Sequence, residues 1–340
     1  INGAMQVAQR ATEVTGIGAS AGYFTVDRFD MFFSGTAGRL TQSQVAVTDL
    51  PGFANALKLQ CTTADTSIAS GETAQLQYQI EGQDLQQLKK GTSSAEKTTI
   101  SFYVKGNAAA TYTIEFQDND NSRHNTQTFA VTTSWNRVSL TFDGDTTGAF
   151  DDDNATSVRI QIYLQAGATY TGGTFTSNTW ASVTNANTVK SDQTMFFDST
   201  DRNLFITGLQ MEVGEQATPF EHRSFGEELL LCKRYFQELC SGVSSNPIAN
   251  LTYYTASSLH GFVDLGTEMR ATPSIAVADV THFTVYSNSA GKATTALQAG
   301  GQWHRKSIEL NATTANATAG HGAFMRTNNT ASSIQLIAEL

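Results

Sequence analysis

Between residues 23 and 214 the apolar residues of this chain recur with a period of two. Ile100, Phe102 and Val104 alternate with Ser101, Tyr103 and Lys105. Tyr112, Ile114 and Phe116 repeat the pattern, as do Val138, Leu140 and Phe142. Val158, Ile160, Ile162 and Leu164 alternate with Arg159, Gln161, Tyr163 and Gln165. In a strand, such alternation places one set of side chains on a buried face and the other on a wet one. Turn-forming clusters (GTSSAEK, DNDNS, DGDTTG, DDDNAT) separate the runs, so many short strands are expected, packed as a sandwich or jelly roll. One connection, residues 166–193, is long for a compact domain and carries Tyr170, Phe175 and Trp180 among Thr, Gly, Ser and Asn.

The period changes once. Ser224 and Glu227 fit the S-x-x-E capping box, and Phe225, Leu229, Cys232, Phe236 and Leu239 then form an apolar stripe at helical spacing. The pattern predicts a helix over 224–240. Such a helix either packs on its own domains or lines a threefold axis in a homotrimer, with Leu229, Cys232 and Phe236 at the interface. After SGVSSNP (241–247) the period of two returns, with TALQAGG and NATTANATAGHG reading as flexible connections. The expected architecture is all-β: a jelly-roll-like β-sandwich over 1–223, one linking helix over 224–240, and a second, smaller β-sandwich domain over 241–340.

Composition narrows the function classes. Lysine and arginine number 21 against 31 acids, a net charge of −10, and Lys/Arg runs stop at pairs, which argues against nucleic-acid binding. No apolar stretch approaches the roughly 20 residues of a membrane span, so membrane insertion is not expected. The chain opens INGAMQVAQR, with neither an initiating Met nor a basic-then-apolar leader, and reads as part of a longer polypeptide. Three cysteines give no disulfide framework: Cys232 and Cys240 would sit about 12 Å apart along a continuous helix, and Cys61 stands alone. Buried thiols, in a protein assembled in a reducing cytoplasm, are the expectation.

Several words along the chain carry a family resemblance. INGAMQVAQR, TVDRF (25–29), YQIEGQ (78–83), ISFYVKG (100–106) and FVDLGTEMRATPSI (262–275) follow in order, and LFITGLQMEVGEQATPFEHRSFGEELLLCKRYFQ (204–237) is the longest and most specific. Together they resemble tail-fibre-like virion proteins of tailed bacteriophages, whose β-sandwich is similar to carbohydrate-binding modules. The resemblance implies a sandwich followed by a second β module, in a virion appendage and trimeric. The implied partners are other virion proteins and a host cell-surface glycan, and the place is the virion. It brings no catalytic motif and no matched site residues. A capsid or tail decoration or connector protein is the alternative, and a polysaccharide depolymerase ranks behind it.

The chemistry searched for agrees with a non-enzyme. No G-x-S-x-G elbow, P-loop or H-E-x-x-H occurs, GIGASAG (16–22) misses the dinucleotide fingerprint, and the six histidines are dispersed. His222 reads as structural. Asp118, Asp120, Asp143, Asp145 and Asp151 to Asp153 lie in Asn/Gly-rich turns, where Asp is a good turn residue. A structural calcium is the alternative reading for Asp118–Asn121 and Asp151–Asn154, which cluster hard oxygen ligands. For glycan binding, Tyr170, Phe175 and Trp180 supply aromatic faces beside Asn178 and Asn185, with outward-facing Tyr163 extending the platform. The competing reading has Phe175 and Trp180 plugging the end of the sandwich. Trp135 reads as core, and Trp303-His304-Arg305 as a further exposed candidate.

Overall fold

The computed structural model describes residues 1–315 and 318–340, leaving undescribed the side chains of 299–303. The chain divides into two compact units, Ile1–Glu228 with Leu340, and Leu229–Glu339. The first unit holds β1 (Glu13–Ile17), β2 (Gly22–Tyr23), β3 (Phe29–Ser34), β4 (Arg39–Ala46), β5 (Asn55–Thr63) and β6 (Thr73–Glu81). There follow β7 (Thr98–Gly106), β8 (Ala110–Asp118), β9 (Arg123–Val131), β10 (Asn136–Phe142), β11 (Thr156–Ala166), α1 (Ala168–Thr171), β12 (Ala181–Ser182) and β13 (Asn203–Val213). They form a 6-stranded sheet, β1-β4-β5-β13-β7-β10, and a 7-stranded sheet, β12-β9-β8-β11-β6-β3-β2. The result is a jelly-roll-like β-sandwich.

The alternating runs supply its core. Ile100, Phe102 and Val104 of β7 are fully buried, as are Tyr112, Ile114 and Phe116 of β8 and Val158 of β11. Phe102 meets Phe129 of the opposite sheet edge-on at 5.0 Å, and Phe116 meets Phe142 at 5.5 Å. Each such ring contributes roughly 1.5–3 kcal/mol by leaving water, which is why the inward set fixes the register of its strand. In β13 the register shifts between Thr207 and Gln210. Gly208 lies there at φ +67°, where a Cβ would come within 2.8 Å of the Phe53 ring. The glycine of LFITGLQ is therefore required by a bulge pressed against an aromatic ring.

The second unit holds β14 (Phe236–Ser241), β15 (Pro247–Tyr253), β16 (Ser258–Asp264), β17 (Ser274–Val277) and β18 (Phe283–Ser287). It continues through β19 (Ala290–Ala293), β20 (Ala296–Trp303), β21 (Ser307–Thr313), β22 (Gly322–Thr327) and β23 (Ser333–Ile337). A 3-stranded sheet, β14-β23-β17, and a 7-stranded sheet, β19-β18-β22-β15-β16-β21-β20, enclose Leu259, Phe283, Val285, Ile308, Leu310, Met325 and Leu336.

Four expectations change on folding. The helix α2 runs only from Phe225 to Lys233, and Phe236 already belongs to β14, opposite Ile337. Phe236 and Cys240 suit a strand as well as a helix, and strand pairing decides between the two. Cys232 and Phe236 are fully buried and so present nothing to a partner chain, and Leu229 is half-buried. The exposed apolar side chains here are Phe225 and Leu230, at 57% and 55%. The capping box forms as read: Ser224 N–H donates to Glu227 Oε2 at 3.0 Å, and Glu227 N–H to Ser224 Oγ at 3.3 Å. TALQAGG is no loop; it lies largely in β20, where Ala296 and Leu297 pair with Thr313 and Ala312. Trp135 stays out of the core. It sits half-buried under the Lys105 ammonium, 4.9 Å from its ring, and its indole N–H donates to Asp49 at 2.9 Å.

Candidate functional site

In the first unit, strand register aligns polar side chains into rungs on the outer face of the 7-stranded sheet. One rung runs Asp30, Gln77, Gln161, Glu115, Thr126, and its neighbour Phe32, Gln75, Tyr163, Thr113, Thr128. Gln77, Gln161, Glu115 and Tyr163 satisfy one another, with His124 beside them. Gln77 Nε2 donates to Gln161 Oε1 at 2.8 Å, and Gln161 Nε2 to Glu115 Oε2 at 2.8 Å. Tyr163 Oη donates to the same carboxylate at 2.9 Å, and His124 Nδ1 lies 2.7 Å from its other oxygen. Burial and the Glu115 charge push the Tyr163 hydroxyl well above its ordinary pKa, so it remains a donor.

The face predicted to be wet is therefore closed, with Gln161, Tyr163 and Gln165 all buried. Its lid is the long connection, which is stapled down rather than loose. Asn178 N–H donates to Thr126 O at 2.9 Å, Val183 N–H to Ser122 O at 2.9 Å, and Gln193 Nε2 to Tyr163 O at 3.1 Å. Val189 and Tyr170 pack on Tyr163, the two tyrosine rings 6.3 Å apart. Trp180 packs against the core, its ring 5.4 Å from Phe116. Phe175 is half-buried and has no ring contact with the other three among the described residues. Tyr163, Tyr170, Phe175 and Trp180 thus do not form one open platform.

The acidic turns are organised around a lysine. Lys90 Nζ, its side chain 4% exposed, lies 2.6 Å from Asp118 Oδ2 and 3.1 Å from Asp145 Oδ2, and donates to the carbonyls of Thr147 and Gly148 at 2.7 and 2.9 Å. Phe150 and Trp180 cover the ammonium at 5.3 and 5.5 Å. Arg123 grips Asp145 with two N–H groups, at 2.6 and 3.0 Å. Burial opposes ionisation of Asp145, but donors from Arg123, Lys90 and the Thr147 amide outweigh it and hold the carboxyl below its ordinary pKa. Of the two clusters read as possible calcium sites, Asp118–Asn121 thus has its Asp118 carboxylate already paired with Lys90. Among the described residues no group of three His, Cys, Asp or Glu side chains is placed to hold a metal ion. Asp153 accepts from Ala155 N–H at 2.8 Å, an ordinary turn bond. His222 packs its ring on Phe220 and Phe53, a structural placement.

The second unit presents the open face. Tyr286 of β18, Phe324 of β22 and Asn250 of β15 stand in register on the outer side of its 7-stranded sheet. The Tyr286 and Phe324 rings stack, planes 11° apart and centroids 5.3 Å. The Arg326 guanidinium lies over both, at 5.4 and 4.7 Å. On the same face Tyr254 and Phe262, at 76% and 69%, are the most exposed large apolar side chains among the described residues, and the Tyr254 ring lies 5.1 Å from His260. One groove of about 330 Å³ runs between Phe324 and Arg326 on one side and Pro247 to Asn250 on the other. A second, of about 400 Å³, separates Tyr286 and Phe324 from the hairpin tip at Asn288 and Ser289, both left-handed at φ 52° and 62°. Sequence reading passed over this face. The signal was the alternation in FTVYS and AFMRT, which turns Tyr286, Phe324 and Arg326 outward. The nearby candidate Trp303 lies outside the described side chains, and Arg305 is tied to Met269 O and Glu268.

No family model matches the chain, and no curated protein matches it. Among solved structures, one titled "CBM4 structure and function" aligns with 63% of this chain and 98% of its own at 13% identity, TM-score 0.31. A family 11 carbohydrate-binding module of the Clostridium thermocellum cellulase Lic26A-Cel5E aligns with 56% of this chain and 90% of its own at 12% identity, TM-score 0.30. The enzymatically active domain of bacteriophage CBA120 tailspike protein 4 aligns with 63% of this chain and 21% of its own at 11% identity, TM-score 0.30. Likenesses this distant say nothing of what the chain binds.

Proposed function

We propose that this chain is a non-enzymatic component of a tailed-phage virion, part of a tail fibre or similar host-contacting appendage, that presents its β modules to glycan on the host surface. The observation that carries the binding reading is the outer face of the second unit's 7-stranded sheet. There two stacked aromatic rings, an amide and an exposed arginine border grooves open to solvent. Aromatic faces accept the C–H surface of a sugar, while amide and guanidinium groups meet its hydroxyls. The virion reading is supported by the segment Leu204–Gln237 and the shorter words in order along the chain. Assembly as a homotrimer would multiply weak contacts.

Binding without hydrolysis is supported by the state of the buried acids. Asp118, Asp145 and Glu115 are committed to Lys90, Arg123, Tyr163, Gln161 and His124, and glycoside hydrolysis needs two carboxyls facing one groove. The exposed Phe225 and Leu230 favour a second reading, a decoration or connector protein that meets other virion subunits. Incubating host cells with the purified, oligomer-checked protein separates the two. A dose-dependent fall in phage adsorption that Phe324→Ala abolishes is the expected result. No effect from correctly assembled protein would remove the receptor role and leave the connector reading.

A further inference from the structure

Among the described residues Arg326 is a cation without an anion. Among the described residues no carboxylate lies within ion-pair distance of it, and its guanidinium has only the rings of Phe324 and Tyr286 for company. A guanidinium stacked on aromatic faces is held in orientation yet keeps its N–H donors for something else. The groove it borders has Phe324 on the same wall, small apolar Ile248 and Ala249 opposite, and the Asn250 amide. On a chain of net charge −10 an exposed cation at a groove is a local exception that favours an anionic ligand over a neutral one.

We infer that this groove takes a carboxylate-bearing saccharide, such as a uronic acid unit. The sugar ring lies along Phe324, its carboxylate meets the Arg326 fork, and a hydroxyl meets Asn250. The inference rests on reading this face as glycan-binding and adds the ligand class. The two oxygens of a carboxylate match a guanidinium fork in one plane, and a carboxylate is the charged group that sugar rings themselves carry in uronic acids. A nucleic-acid backbone would need a track of cations, which a single arginine does not provide.

The test uses the full chain and calorimetric titration with three probes: an oligogalacturonate, the same oligosaccharide after reduction of its carboxyl groups, and an oligoaspartate. The acidic saccharide is expected to bind at least about tenfold more tightly than its reduced form, with affinity falling as salt rises. Arg326→Gln should erase that preference, and Arg326→Lys should restore part of it, with melting temperatures unchanged because the side chain is exposed. Equal binding of the acidic and reduced saccharides would overturn the acidic class while leaving a glycan-binding face. Binding of oligoaspartate as tight as that of the oligogalacturonate would overturn the saccharide class in favour of an acidic peptide. Binding of none of the three would overturn both the inference and the reading beneath it.

Discussion

Lys90 and Arg326 each lie over two aromatic rings, and they differ in almost everything else. Lys90 is enclosed, with two carboxylates and two carbonyls around its ammonium. Arg326 stands on an exposed strand, with rings beneath it and no carboxylate in reach among the described residues. The same split separates the outer faces of the two 7-stranded sheets. In the first unit amides, a phenol, an imidazole and a carboxylate satisfy one another beneath a stapled connection. In the second, the aromatic rings and the guanidinium border grooves open to solvent. A polar group whose valences are filled internally is architecture, and one left unfilled at an open surface is available for recognition.

The largest test of this contrast is Lys90→Met. It leaves buried Asp118 with only the Asn121 donors, while Asp145 keeps Arg123, and should cost the first unit about 3–5 kcal/mol, read from denaturant unfolding. A loss under about 1 kcal/mol would mean that the lysine is no keystone. Next comes Glu115→Ala, which leaves Tyr163 and His124 without their acceptor and Gln161 with Gln117 alone, and should cost about 2–3 kcal/mol. Saccharide binding should survive it; a folded Glu115→Ala protein that no longer binds would place the site on the closed face and collapse the comparison.

Acid should act in the same direction but by degrees. The Asp145 carboxyl, and the Asp65 carboxyl held by Thr36 and the amides of Ala37 and Gly38 against its burial, titrate below their ordinary values. A depressed carboxyl stabilises the fold above its unfolded pKa of about 3.9, and that contribution is lost as pH falls through the folded value. Melting temperature of the first unit should therefore decline below about pH 4 and hold steady above it. The smallest effect belongs to Arg326→Ala, expected within about 0.5 kcal/mol of the parent in stability despite its loss of saccharide. A large destabilisation would show that its ring contacts are structural after all.

Much of the fold could be read from residue order. The runs around Phe102, Ile114 and Ile160 place their apolar members in the core because a period of two has one solution in a half-buried strand. The start of α2 was legible in Ser224 and Glu227 for a similarly local reason. Its end was not, since Phe236 fits both helix and strand spacing and the choice is made by β23, a hundred residues away. The closed rungs were also beyond reach, because Gln77, Gln161 and Glu115 become neighbours only through pairing of three strands far apart in sequence. The outer face of the second unit lies between these cases: the outward parity of Tyr286 and Phe324 was visible, but their adjacency depends on β18 and β22 pairing across a hairpin and two further strands.

The Lys90 cage has a consequence for the conditions under which this sandwich can exist. A module stabilised by a dissociable metal gains free energy that varies with the logarithm of ion concentration, so dilution or a chelator weakens it. Here the cation is tethered to the chain, and its concentration at the site never changes. For this cage, folding does not wait for an ion to arrive, and removal of divalent ions by a chelator takes nothing from it.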